Sequence, residues 1–276
     1  MKITYLLLPL LLLLQVSPAQ SQVAVIPQPN SVRLSGGELV LRDNSYIKES
    51  EAFREAAELF REQLFVRTGF TWFKTEQNAA AAVVFTQNPA LQPEEYILNI
   101  IPGRVVVEAS AKAGAHNAVM SLLQMMVFGK ETGLSRIPLG KIQDKPEYAW
   151  RGYMLDESRH FFGVEKVKQI LNWMAFYKLN KFHWHLTDEP AWRLEIKKYP
   201  LLSRVGGIGT YTDPLTEARY YTQEEIRDIV AYAAKRQIEV IPEIDMPGHA
   251  TAANRAYPQF SGGGTPNHPD FTFGRR

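Results

Sequence analysis

Side chains able to hold a proton or grip a polyol fall into four short stretches of this sequence. Asp156 and Arg159 form the first, His183, His185 and Asp188 the second, and Trp192 with Arg193 the third. Glu243, Asp245 and His249 make the fourth, the last two lying either side of Met246-Pro247-Gly248. A carboxylate beside an imidazole fixes its tautomer. A guanidinium offers a planar fork of donors that suits vicinal hydroxyls, and Arg159, next to His160, reads either as such a grip or as a surface charge. An indole gives either a core side chain or a flat platform for a pyranose face, and for Trp192 both readings stand. His183 and His185, two apart on a strand, share one face. His183 is assigned to packing at a rim, while His185 stays open between packing and a site. Arg193 is assigned a structural role. The tight turn can pair Asp245 with His249, either as a site device or merely to stabilise the turn.

Charge points to a neutral partner. The 276 residues carry 31 basic and 29 acidic side chains, a formal net charge of +2. That balance gives no field that would favour nucleic acid or an anionic membrane. There is no cysteine, so a thiol nucleophile and a disulfide framework are excluded.

The elements that must position these residues alternate. Gly152 to Asp156, Lys181 to Asp188 and Glu239 to Asp245 read as short strands, each ending on the polar residues. Between them, Val167, Ile170, Leu171 and Met174 mark a helix from Val164 to Leu179. Ile226, Ile229, Val230 and Ala233 mark a second helix, opened by Thr222 and Glu225 as a capping box. Strands alternating with helices imply an α/β fold with a parallel sheet, open or closed into a barrel. Polar residues at successive carboxyl ends are where such barrels build their sites. Neighbours on a strand face opposite ways, so Asp156 and Asp188 are expected to point into the site and Glu157 and Glu189 away from it.

Residues 22–145 read as a small α+β domain. Ser31 to Leu34 and Glu38 to Leu41 suggest a hairpin around Ser35-Gly36-Gly37, and Tyr96 to Ile101 with Val105 to Ala109 suggest another around Pro102-Gly103-Arg104. A helix is expected over 53–69, a buried strand over 82–86 and a second helix over 115–128, with His116 on its surface. Residues 1–21 have a different character: Lys2, an apolar run up to Leu14, then Ser17, Ala19 and Ser21. They read as a secretory signal peptide, because Gln15 interrupts the run short of the roughly 20 residues a membrane span requires. Its removal takes Lys2 and leaves a charge of about +1, with no membrane attachment and a location in the periplasm or the medium.

Four longer motifs carry a resemblance. They are Arg151-Gly152-Tyr153-Met154-Leu155-Asp156-Glu157-Ser158-Arg159-His160-Phe161, the run from Met174 to Asp188, Trp192-Arg193-Leu194-Glu195-Ile196, and Ile241-Pro242-Glu243-Ile244-Asp245-Met246-Pro247-Gly248-His249. In this order they resemble family-20 glycoside hydrolases, the β-N-acetylhexosaminidases. Pro27-Gln28-Pro29 and the first domain resemble that family's small leading domain, although Ala118 stands where many members have glycine. The resemblance implies an incomplete (β/α)8 TIM barrel over residues 146–276, about its first three strands, and a terminal N-acetylhexosamine of an oligosaccharide or glycoconjugate as partner. It implies that Arg159 binds sugar hydroxyls; His185 and Trp192 join it as substrate-side candidates on the residue reading above, not on the resemblance. Asp188 and His249 would support the catalytic acid, and Asp245 would orient His249. The family reaction is retaining and substrate-assisted, an exception to the two-carboxylate scheme, and needs no metal or cofactor.

One part of the pattern is missing. The family's catalytic Asp-Glu pair follows a His-x-Gly-Gly stretch; Asp156-Glu157 and Asp188-Glu189 align with other motifs, and Gly262-Gly263-Gly264 leads into Thr265. Pro146 to Arg276 supplies 131 residues, against about 250 for a whole barrel. The expectation is a chain without the proton donor, and therefore without hydrolytic activity alone. Two alternatives remain: a sugar-binding fragment, and a metal-dependent amidohydrolase with His183 and His185 as zinc ligands.

Overall fold

The structure, a computed structural model, describes residues 23–260. The leader at 1–21 and the stretch Gly262 to Thr265 lie outside the described residues. Hydrophobic alternation builds the first unit. Its strands are β1 (Ser31–Arg42), β2 (Tyr46–Lys48), β3 (Phe73–Lys74), β4 (Ala81–Gln87), β5 (Tyr96–Ile101), β6 (Arg104–Ala109), β7 (Lys130–Glu131) and β8 (Leu134–Asp144). They form one mixed sheet in the order β1-β8-β5-β6-β4-β2-β3, with β7 paired to β8. Every second residue of β4 from Ala81 to Phe85 and of β6 from Val105 to Ala109 is buried. Val83, Phe85, Val105 and Val107 share one core with Ala57, Phe60 and Leu64 of α1 (Arg54–Thr68) and Val119, Leu122 and Met126 of α2 (Lys112–Phe128).

Two features of this unit depart from the sequence expectations. The first hairpin is absent: β1 runs through as a single strand, paired with β8 on both sides of a bulge between Leu34 and Glu38. Gly36 and Gly37 take φ of 80° and 82°, and the extra residues loop out because both halves share one long partner. That partner, β8, was not anticipated, since Pro138 and Gly140 interrupt its pattern. His116 is not on a surface but buried at 3% exposure. Burial pushes its pKa down to about 4. The helix bearing it is covered by the sheet on one side and by the second unit on another, so it has no solvent stripe to read.

The second unit holds β9 (Gly152–Asp156), α3 (Val164–Phe176), β10 (Lys181–His185), α4 (Leu201–Arg204), α5 (Gln223–Ala234), β11 (Glu239–Glu243) and α6 (Thr251–Ala256). The strands are parallel in the order β9-β10-β11. Val167, Leu171 and Met174 pack with Phe182, Trp184, Ile229 and Ala233 beneath them. Thr222 caps α5 with Glu225 in a reciprocal box, as its sequence indicated. Helix α3 stops at Phe176, earlier than expected. Lys178 takes a left-handed φ of 61°, and the Leu179 amide donates back to Met174 O, which turns the chain into β10. No helix among the described residues is long and apolar enough to cross a membrane.

Polar contacts, buried at Lys178 and Gln124 and partly buried at Arg236, join the units. Lys178 Nζ reaches Asp144 Oδ2 at 3.2 Å and Tyr96 Oη at 3.1 Å. Arg236 Nη2 donates to Glu62 Oε1 at 2.7 Å, and Gln124 Nε2 to Phe176 O at 2.6 Å. Burial holds the Lys178 amine below its ordinary value despite Asp144. Lys178→Met therefore strands a buried carboxylate. It is expected to lower the unfolding free energy by roughly 3–5 kcal/mol, seen as a lower urea midpoint at unchanged slope. Asp144→Asn in the same background should recover part of the loss.

Candidate functional site

Parallel register places the first polar residues. Asp156, His185 and Glu243 are direct lateral partners at the carboxyl ends of β9, β10 and β11. Each strand is followed by a loop that returns to this end. The loop after β9 carries Arg159, the loop after β10 carries Asp188, and the turn after β11 carries His249.

These side chains meet on Asp188, which is 2% exposed. Its Oδ1 accepts from the Glu189 amide at 2.6 Å and lies 3.0 Å from His249 Nδ1. Its Oδ2 lies 2.9 Å from His185 Nε2 and 2.7 Å from Arg159 Nη2. Burial by itself would raise the pKa of this carboxyl. The Glu189 amide, His185 and the charges of Arg159 and His249 outweigh burial and hold it below the ordinary carboxylate value.

His185 is held from both sides. Its Nδ1 is 2.8 Å from Glu243 Oε2, so each ring nitrogen faces a carboxylate, and only the imidazolium donates to both. Burial opposes that charge, but the bonds to Glu243 and Asp188 win and raise the pKa above 6.5. Glu243 responds reciprocally: burial would raise it, and His185 and His183 hold it down. His183 Nε2 contacts the same Glu243 oxygen. The result is a continuous chain from His183 through Glu243, His185 and Asp188 to His249. The assignment of His183 to packing is corrected by this contact and by a side chain 40% exposed. Glu243, noted in sequence only as a strand end, proves to be the link between two histidines. Its signal was the lateral register with His185, which one strand's sequence does not contain.

Arg159 spans two carboxylates, with Nη1 donating to Asp156 Oδ2 at 2.7 Å and its amide to Asp156 Oδ1 at 3.0 Å. Its side chain is still 37% exposed, so the fork is fixed yet open to a ligand. Trp192 is buried, and its Nε1 donates to Leu194 O at 2.7 Å. One side of it lines a cavity of about 860 Å³ with Tyr199, Ile244, Asp245, Met246 and Tyr257. Arg193 is wholly buried and donates to the carbonyls of Glu157, Ser158, Gly207, Gly209 and Arg219.

Asp245 differs from expectation. His249 takes a left-handed φ of 52° and its ring bonds Asp188, not Asp245. The turn thus swings the imidazole across to the end of β10. The Asp245 amide donates to Thr187 Oγ1 at 3.0 Å. Its carboxylate shares with His185 and Asp188 a group whose donor atoms all lie within 4.8 Å of one another. That set excludes His183, so the pair named for zinc is not the one gathered here. The Arg159 guanidinium on Asp188 also opposes a cation at that oxygen.

The raised pKa of His185 has a signed consequence. Its stabilising contribution is complete below 6.5 and disappears as pH rises through the folded value. Asp188→Asn removes one of the two carboxylates that hold the charged ring. The His185 ring pKa, followed by NMR titration, is expected to fall, with less stability left to lose on going from acid to alkaline pH.

Residues 22–145 match the model of glycosyl hydrolase family 20, domain 2, and residues 148–273 match the catalytic domain of the same family. A beta-hexosaminidase of Vibrio furnissii is 38% identical over 247 residues, covering 86% of this chain and 40% of that protein. A beta-hexosaminidase of Porphyromonas gingivalis is 44% identical over 176 residues, covering 62% of this chain and 23% of that one. The crystal structure of a family-20 exo-β-N-acetylglucosaminidase from Vibrio harveyi, in complex with N-acetylglucosamine, aligns with TM-score 0.79 at 34% identity, over 86% of this chain and 38% of that chain. The chain therefore spans two fifths or less of the length of these relatives. Two domain models of one family matched in succession, and a shared fold at this identity, lead to one conclusion: the chain belongs to glycosyl hydrolase family 20.

Proposed function

We propose that this chain forms the sugar-gripping part of a β-N-acetylhexosaminidase, a hydrolase that removes terminal non-reducing N-acetylhexosamine. The single observation that carries the reading is the convergence of Arg159, His185 and His249 on the buried Asp188. In this reading the parallel β9, β10 and β11 are the first three strands of a (β/α)8 barrel, residues 22–145 are the leading domain, and residues 146–276 belong to the barrel. Their sequential order and the gathering of polar groups at their carboxyl ends support it. A leader at residues 1–21 would take the protein to the periplasm or the medium.

Each residue then has a part in a retaining, substrate-assisted reaction. Arg159, clamped by Asp156 and Asp188, presents its remaining donors to the sugar hydroxyls. His185 holds the clamp's charge balance, and Trp192 forms a wall of the adjoining cavity. In the reaction, the acetamido oxygen of the sugar attacks the anomeric carbon as the leaving oxygen takes a proton. Asp188 and His249 form a hydrogen-bonded pair suited to supporting the group that gives that proton, with Asp245 alongside. The Vibrio harveyi relative was crystallised with N-acetylglucosamine, which supports the choice of sugar.

Titration of the chain with N-acetylglucosamine, followed by NMR, tests this directly. Binding is expected for N-acetylglucosamine and not for glucose. Arg159→Ala should weaken it about tenfold or more, the loss of charge-assisted hydrogen bonds to hydroxyls. Equal response to both sugars, or an unaffected Arg159→Ala variant, would overturn the proposal. Where turnover of 4-nitrophenyl N-acetyl-β-glucosaminide is measurable, the sugar first released should carry the β configuration.

A further inference from the structure

Glu157 is a buried carboxylate that this mechanism leaves unused. It points away from the cleft, opposite to Asp156, as the alternation of a strand requires. It is 0% exposed. Its Oε2 accepts from the Phe162 amide at 2.7 Å and its Oε1 from the Tyr221 hydroxyl at 2.7 Å. The first of these bonds closes the loop between β9 and α3 on itself, and Arg159 sits inside the closed segment. Main-chain contacts fix the root of the same loop. The Glu157 amide donates to His185 O at 3.0 Å, and Arg193 donates to Glu157 O and Ser158 O at 3.0 and 2.9 Å.

We infer that Glu157 is a positioning residue for Arg159, clasping the loop from behind so that the guanidinium stays on Asp188 and Asp156. The inference deepens the sugar-binding role proposed above and rests on it only for the ligand. Asp156 holds the Arg159 amide from the cleft side at 3.0 Å, and Glu157 holds the Phe162 amide from the core side. Two consecutive carboxylates thus pin the two halves of one short loop on opposite faces. Burial lifts the Glu157 pKa to about 7, against the pull of Phe162, Tyr221 and Arg193. A carboxyl group kept buried at that cost is better explained by the backbone amide it satisfies than by packing.

The test uses a readout at the site that needs no sugar. Arg159 Nη1 lies 3.4 Å from His185 Nε2, so loss of its positive charge from that place should raise the His185 ring pKa. Glu157→Met fills similar volume without an acceptor. It is expected to raise the His185 pKa in the same direction as Arg159→Ala, and to add nothing in the Arg159→Ala background. Glu157→Gln, which retains an acceptor for the Phe162 amide and a donor for the Tyr221 oxygen, should restore the original value. An unmoved His185 titration in folded Glu157→Met overturns the inference. If that variant does not fold, hydrogen exchange of the unaltered chain decides: the Phe162 amide should be protected about a hundredfold or more, and exchange at the unprotected rate overturns the clasp. In Glu157→Met, affinity for N-acetylglucosamine should fall about tenfold alongside. A shifted His185 with unchanged sugar affinity would uphold the positioning and refute the sugar-binding role of Arg159 instead.

Discussion

A carboxylate taken out of water is costly unless charge and hydrogen bonds replace its hydration. Asp188 obtains both, from a backbone amide, two imidazoles and a guanidinium. Those partners come from the end of β10 and from the loops after three successive strands, so satisfying one buried group forces distant parts of the sequence together. The dependence runs both ways. Arg159 and His185 bring positive charge that would repel without a carboxylate between them, and Asp188 would be unstable as an anion without them. The cleft is in this sense a by-product of an electrostatic knot.

The knot rests on backbone geometry. Lateral register sets Asp156, His185 and Glu243 side by side, which puts the second carboxylate against the far nitrogen of the same ring. Behind the cleft, Arg193 gathers five carbonyls of two loops, the one after β9 and the one between α4 and α5, and has no surface exposure. Groups bound in this manner are held in place before a ligand arrives, which is what recognition of a neutral polyol demands.

Much of this was legible in the sequence, for physical reasons that differ by element. The alternation of strands and helices was visible because each helix of the second unit buries one stripe, and the capping box at Thr222 and Glu225 is a local signal. The second hairpin was visible because Pro102 and Gly103 join two alternating runs, and Ile101 does pair with Arg104. The direction of Asp156 and Glu157 followed from strand alternation alone. What escaped depends on partners far away in the chain. Gly36 and Gly37 permit either a turn or a bulge, and β8 decides. His116 lies on a helix covered on more than one side. The partner of His249 was set by a left-handed backbone at that residue, and the link between His183 and His185 by a neighbouring strand's register.

That register also governs which changes in length the protein can absorb. Side chains along β10 alternate between cleft and core: Phe182 and Trp184 are buried beneath the sheet, while His183 and His185 face Glu243. A single residue gained or lost inside the strand would exchange the two sets, driving imidazoles into oil and an indole into the cleft. Insertions in the exposed segment 211–218, by contrast, leave every lateral pairing untouched. Descendants of this sequence can therefore diverge in the size of their loops, but the spacing within each central strand is frozen by parity.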